Sequence, residues 1–425
     1  MLKYNTNRRM HRIQIDEAEG TVLATIGFGN TVKQKFPRKS RSPLWVNPMV
    51  GGWAHCEFDK GFLIWGRGVA KIDIWRREID QREDPLPACD PDEFQRGISG
   101  LIRRMEQEGG YRDDLPGIRG RFEPFVCLHT ETATSASRFV YPHLVLATRD
   151  AQIAYIYDVP SAKLLRKIEL NPDNTVGLEG DDRVNYVEQS QTHVFVCMER
   201  QIVTYKKSDG AVDLIFRARQ PPTHMLSIDP QDPGFEEEDD EEEGYGSWET
   251  TKKLPLCSIE DRSLLFKHFA HSALRTFQAV HVSPCGRIWV AICDESFIYV
   301  VTGGLEGTGS ALEITEIYLG VEELHYLAFD GYHIAVAGDR GICTLSLGRL
   351  HESDDDLHLI HERIQRSSLQ VFRPAPDVIM GETTCLQITD DSVWHVAAVG
   401  ASGLTAGLER IQFGERLGGD QDEDD

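Results

Sequence analysis

Apolar residues fall in short runs along the chain rather than in long stripes. Phe62-Leu63-Ile64-Trp65, Leu144-Val145-Leu146-Ala147, Val194-Phe195-Val196-Cys197, Ile288-Trp289-Val290-Ala291-Ile292 and Ile334-Ala335-Val336-Ala337 are rich in β-branched and aromatic residues. Each is bounded by Gly, Asp or Pro, and most give way to a second short run such as Ile153-Ala154-Tyr155-Ile156-Tyr157. Such residues fit a pleated, half-buried surface, so the runs predict strands joined as hairpins. One helix is predicted, where Pro91-Asp92-Glu93-Phe94 leads into Ile98, Leu101, Ile102 and Met105 and Gly109-Gly110 supplies the stop. The chain reads as all-β.

The hairpins repeat. Asp150, Glu199, Asp294 and Asp339 each follow an apolar run, and Ile153, Ile202, Phe297 and Ile342 stand three residues further on. An acid at the turn can bond the backbone locally, and the apolar residue restarts the next strand on its buried face. The spacings of 49, 95 and 45 residues become regular once the acidic, Pro-containing stretch 218–275 is set aside. Further units end in Ile72-Asp73-Ile74-Trp75 and begin at Thr384-Cys385-Leu386-Gln387-Ile388. A period of roughly 40–50 residues with four short strands per unit is the signature of a β-propeller, whose radially stacked sheets cover one another's faces. Insertions at 77–124, 218–275 and 348–367 interrupt the repeat, and the remaining length favours seven blades narrowly over six. The expected organisation is one propeller domain over 1–417 and a disordered acidic tail over 418–425. Ring closure is expected from a shared sheet joining the hairpin Arg12–Ile26 to the strand Leu408–Phe413, because either left alone would expose an apolar edge.

Several stretches carry a resemblance. His281-Val282-Ser283-Pro284-Cys285-Gly286 resembles the turn between the first two strands of a WD-repeat blade, with Leu327-Ala328-Phe329-Asp330-Gly331 and Phe58-Asp59-Lys60-Gly61 as looser versions. Ile156-Tyr157-Asp158-Val159 looks like the Trp-Asp ending of a third strand with Tyr in the Trp place. More narrowly, Arg12-Ile13-Gln14-Ile15-Asp16, Arg121-Phe122-Glu123-Pro124, Tyr141-Pro142-His143-Leu144 and Val280–Gly286 are similar to the propeller region of fungal F-box/WD-repeat proteins. That resemblance implies a substrate-holding propeller of the cullin ubiquitin-ligase type. An F-box needs three helices, and the eleven residues ahead of the first strand contain none. A ubiquitin-ligase adaptor is therefore expected as a partner only if an F-box lies elsewhere.

The hydrophobic fraction of 40% supplies a sizeable core, and the net charge of −23 argues against nucleic-acid or anionic-membrane binding by the whole surface. Much of that charge sits in two places. Glu236, Glu237, Glu238, Asp239, Asp240, Glu241, Glu242 and Glu243 form an unbroken run, and the last six residues hold five acids; without these the net charge is −10. Eight adjacent like charges repel one another, so the run reads as a solvated spacer or as a docking strip for a basic partner. Lys33, Lys35, Arg38, Lys39 and Arg41 read as an exposed loop, a nuclear-import signal or a patch for an anionic partner.

Nine cysteines without a CxxC spacing suggest a reducing compartment, and no segment approaches eighteen consecutive apolar residues, so the protein is expected to be intracellular, cytoplasmic or nuclear. No HExxH, GxSxG, P-loop or GxGxxG motif occurs. Gly303 to Gly309 follows a strand and leads into another strand, which makes it a hairpin loop rather than a phosphate cradle. His351, Glu352, His358, His361 and Glu362 are the densest set of possible metal ligands, read as a solvated loop. Tyr155, Tyr157, Tyr299, Trp65 and Trp289 read as core between blades. No catalytic residue, cofactor or metal is predicted. The expected function is a non-enzymatic, monomeric protein-interaction scaffold. The alternatives are a nuclear chromatin- or RNA-associated scaffold, or an enzyme whose site is assembled in the central channel from several blades.

Overall fold

The structure is a computed structural model and describes residues 3–6, 10–26, 30–35, 45–50, 54–68, 70–80, 87–108, 121–148, 152–171, 183–218, 220–228, 249–258, 276–294, 296–305, 311–319, 323–338, 341–347, 360–373, 381–389, 392–399 and 405–412. Strand β1 is Lys3–Thr6. The first meander is β2 (Met10–Asp16), β3 (Thr21–Ile26), β4 (Asn30–Lys35) and β5 (Trp45–Asn47). The second is β6 (Cys56–Asp59), β7 (Phe62–Arg67), β8 (Lys71–Arg77) and, after helix α1 (Glu93–Gln107), β9 (Phe122–His129). The third runs β10 (Thr134–Val140), β11 (His143–Thr148), β12 (Ile153–Asp158), β13 (Lys163–Glu169), and the fourth β14 (Val184–Gln189), β15 (His193–Met198), β16 (Gln201–Lys206), β17 (Val212–Arg217). Two further strands, β18 (His224–Ile228) and β19 (Glu249–Ser258), precede the fifth meander of β20 (Phe277–Val282), β21 (Ile288–Cys293), β22 (Phe297–Thr302) and β23 (Glu313–Tyr318). The sixth is β24 (Leu324–Phe329), β25 (His333–Gly338), β26 (Gly341–Ser346) and, after helix α2 (Ile360–Arg366), β27 (Ser368–Arg373). The last is β28 (Gly381–Thr389), β29 (Ser392–Val399) and β30 (Thr405–Gln412), with β1 as its outer strand.

The first strands pack side by side in the order β2, β6, β10, β14, β20, β24 and β28, and β28 returns to β2. The described residues thus form a closed ring of radially arranged four-stranded blades, a β-propeller. The apolar runs are its core: Trp65, Trp289, Tyr155, Tyr157 and Tyr299 are all buried between sheets, as expected. Ile202, Phe297 and Ile342 restart strands on buried faces. The turn acid Asp294 behaves differently from expectation. Its Oδ1 accepts from the backbone N–H of Thr276 at 3.0 Å, tying the turn to the entry of the blade's first strand rather than to its own backbone.

Closure also departs from expectation in its residues. The hairpin Arg12–Ile26 does not join the C-terminal strands; it forms the inner half of the first blade. The shared sheet is made by β1, whose Lys3, Tyr4, Asn5 and Thr6 pair antiparallel with Glu409, Leu408, Gly407 and Ala406. The reason is positional, since a blade's first strand lies at the axis and only its fourth can be supplied from the rim.

The described parts of the insertions pack on the outside of the ring. Helix α1 starts where the sequence places it, at a capping box in which Asp92 accepts from the Gln95 N–H and the Gln95 side chain accepts from the Asp92 N–H. Its Ile98 and Ile102 are buried against Trp45, Trp65, Trp75 and Phe122. Gln95 donates to the carbonyls of Val126 (3.1 Å) and Ile74 (3.4 Å). Arg67 bonds Asp92, stands 3.5 Å from Asp73 and donates to the Cys127 sulfur at 3.3 Å. Burial pushes the Asp73 carboxyl up to about 6 despite Arg67. Asp92 goes the other way: burial opposes its charge, but Arg67 and the Gln95 N–H outweigh that and hold it at about 2.

The described strands of the stretch 218–275 are built into the sheets. Strand β18 pairs parallel with β23 and antiparallel with β19, and β19 continues along β27, so ten strands form one sheet across the fifth and sixth blades. Leu226, Ile228, Leu254 and Leu256 are buried there with Ile360 and Ile364 of α2. The acidic run 236–243, the tail 418–425 and Gly109-Gly110 lie outside the described residues.

Candidate functional site

Side chains alternate across a strand, so each first strand offers every second residue to the ring axis. Pairing with the second strand puts seven positions in one register row: Gln14 opposite Leu23, Glu57 opposite Ile64, Arg138 opposite Val145, Glu188 opposite Phe195, His281 opposite Val290, Ala328 opposite Ala335 and Gln387 opposite Trp394. Six of the seven are polar. Their side chains are linked from blade to blade.

Gln387 Nε2 donates to Gln14 Oε1 at 2.9 Å, and Gln14 Nε2 donates to the Cys56 carbonyl at 3.0 Å. Arg138 is the hub: its Nε donates to Glu188 Oε1 at 2.8 Å and its Nη1 to Glu57 Oε2 at 3.4 Å. Glu188 Oε2 lies 3.4 Å from His281 Nδ1, and the His281 ring stacks on Tyr186 at 5.1 Å. The chain of contacts stops at Ala328, which has no polar atom to continue it.

Burial pushes both Glu57 and Glu188 up, against the pull of Arg138. Burial works against the Arg138 charge as well, but Glu188, Tyr186 and Glu57 together hold it above its ordinary value. His281 is driven well below the usual imidazole range by burial, and the charges of Arg138 and Arg12 push the same way. The imidazole is neutral at physiological pH. One register step from this row, Arg12 donates Nε and Nη2 to His55 Nδ1, at 3.2 and 3.0 Å.

A channel assembly of perturbed groups is what an enzyme of this architecture would use. Here the groups answer one another. Glu188 spans Arg138 and His281, and Glu57 takes Arg138 and the Phe139 N–H at 3.4 Å. Among the described residues no Ser or Cys lies within hydrogen-bond reach of His281. The arrangement is suited to locking blades in register.

The residues singled out from the sequence lie elsewhere. Lys33 and Lys35 are in β4, where Lys33 pairs with both Leu23 and Trp45 and Lys35 with Thr21, so this part of the basic stretch is strand rather than loop. Arg38, Lys39 and Arg41 lie outside the described residues, as do His351, Glu352 and His358. His361 and Glu362 fall in α2, so this part of the segment is helix rather than loop, and His361 stacks on His224 with ring centroids 3.8 Å apart. No group of three metal ligands occurs among the described residues. Gly303 and Gly304 have positive φ in the turn after β22.

The turns between first and second strands share one face of the ring. There Val140, Tyr141 and Ile79 are 40–42% exposed. Tyr141 stacks on Phe62, and the Arg76 guanidinium covers that ring 4.0 Å from its centroid. Asp59 accepts from the Tyr141 N–H at 2.8 Å and fixes the turn.

Comparison with known proteins places the fold. The β-propeller domain of Cps50 (Swd1) from Myceliophteria thermophila superposes with a TM-score of 0.54 at 8% identity, covering 96% of this chain and 99% of that one. U3-55K does so with 0.51 at 10% identity, over 96% and 98%. The WD40 repeats of RRP9 give 0.50 at 9% identity, over 96% of both chains. No protein-family profile matches the sequence, and neither does any curated protein. Among the described residues no helix is long and apolar enough to cross a membrane.

Proposed function

We propose that this WD40-type propeller is a non-enzymatic scaffold that holds protein partners on the face bearing Val140, Tyr141 and Ile79. The observation that carries the reading is the contrast between that face and the channel. The channel's charged groups are largely engaged by one another, whereas the aromatic and aliphatic side chains beside the Lys60-Gly61 turn stand exposed on a rigid base. Exposed aromatics on a fixed frame suit protein contact. Affinity purification of the wild-type chain and of Tyr141→Ser, compared by quantitative mass spectrometry, tests this. Partners lost from the variant support it; identical partner sets from both, or none from either, count against it.

Within that reading, a substrate-holding role in a cullin ubiquitin ligase rests on the resemblance of Tyr141-Pro142-His143-Leu144 and Val280–Gly286 to fungal F-box/WD-repeat propellers. It requires an adaptor-binding element, so co-purification of a cullin adaptor is its test. The nuclear alternative rests on the cations at 33–41. Import receptors take extended peptides, and the paired backbone of Lys33 and Lys35 in β4 argues against one there. A fluorescent fusion whose distribution is the same before and after alanine replacement of all five cations would remove that alternative. The acidic run 236–243 as a strip for a basic partner is tested by repeating the purification with those eight acids changed to serine.

A further inference from the structure

We propose that the ring axis at Arg12 binds a compact oxyanion, a phosphate or carboxylate group. Arg12 stands four residues before the Asp16 end of β2, away from the face that carries Tyr141. Among the described residues its guanidinium makes no ion pair. It donates Nε and Nη2 to His55 Nδ1 and points Nη1 at the Cys385 sulfur, 3.9 Å away. A guanidinium has five N–H donors, so two are left over.

The carboxylate whose field reaches Arg12 is Glu57, and its Oε2 is already shared by Arg138 and the Phe139 N–H. Arg12 shares the axial face of β2 with Gln14, two residues away, and Arg138 lies in the same register row as Gln14, so both cations face the ring axis, where the field of each reaches His281. Arg138 is 27% exposed in its side chain and Arg12 is half-buried beside the exposed His55, so solvent reaches them. Two guanidinia, one with unspent donors, therefore meet two carboxylates that are both committed to Arg138. The leftover donors are open to solvent, and an oxyanion taking two N–H donors from a planar fork exchanges water for charge-assisted hydrogen bonds. The Tyr186 ring stacked on His281 walls the same space without adding negative charge at neutral pH, because burial raises its hydroxyl. This site is independent of the partner face, since none of its residues lies on that face's exposed patch and its probes are small ions.

The test is isothermal titration of the full chain with sodium phosphate and, separately, sodium acetate, against sodium chloride of matched ionic strength. Saturable heat with at least one oxyanion is expected, and the two arms separate phosphate from carboxylate preference. Arg12→Gln should bind at least about tenfold more weakly, as should Arg12→Lys, which keeps the charge but loses the fork. Arg96→Gln, on the exposed side of α1, should bind like wild type. If Arg12→Gln fails to fold, Arg12→Lys decides. No saturable heat above chloride in wild type, or undiminished binding by Arg12→Lys, would overturn the proposal.

Discussion

Asp73→Asn should make the protein more stable, and increasingly so as pH rises. Asp73 is 1% exposed in β8, and burial raises its carboxyl to about 6. In the unfolded chain the same group titrates near 3.9. Between those values the folded state keeps a proton that the unfolded state has released, so wild-type stability falls as pH rises through the window. The full loss is about 3 kcal/mol once pH is well above 6, and about 1.4 kcal/mol of it accumulates between pH 5 and pH 7.5. Asparagine has the same shape and no charge, so the variant lacks this term, while Arg67 keeps Asp92 as its partner. Urea unfolding followed by tryptophan fluorescence at both pH values measures it. The advantage of the variant over wild type should grow by about 1.4 kcal/mol from pH 5 to pH 7.5. A difference independent of pH, or one that shrinks as pH rises, would refute the reasoning.

Five other substitutions or truncations probe the ring. Arg138→Met leaves Glu57 and Glu188 buried without their cation and should cost about 3 kcal/mol or more at pH 7.5. The deficit should shrink at pH 5, because both carboxyls are already pushed up and protonation relieves them. Leu226→Ala and Leu256→Ala should each cost about 2–5 kcal/mol in urea unfolding, which a dispensable insertion would not show. Deleting residues 1–6 removes the outer strand of the last blade and should promote aggregation, seen by light scattering, whereas deleting 418–425 should leave cooperative unfolding unchanged.

The blades were legible in the sequence because burial on both sheet faces writes itself as β-branched and aromatic runs bounded by turn residues. The helix was equally legible, since Asp92 and Gln95 form a local capping box before an apolar stripe. The polar row at the axis was not. Six of the seven blades contribute one polar residue each to the row, from first strands that carry other polar residues as well, and partners such as Arg138 and Glu188 stand fifty residues apart. A single polar residue in an alternating strand looks like an outward-facing position, so only the ring reveals that it faces its neighbours. An alignment of the blades on their first turns would have found the row without coordinates. Strands β18 and β19 escaped notice because the Pro residues and acids between them dominate the local composition. The closing strand is illegible for a related reason: Lys3-Tyr4-Asn5-Thr6 has no apolar alternation, and its place comes from its partner.

The pairing of β1 with β30 also sets a timetable. The two strands stand about 400 residues apart, and a ribosome adds roughly 5–20 residues each second. The N-terminal strand of this pair must therefore wait some 20–80 s for its partner before it can dock. During that interval the other blades can stack in order of synthesis, and the ring remains an open arc with two raw ends. Sealing completes the ring, and it falls to the pair of described strands farthest apart in the chain.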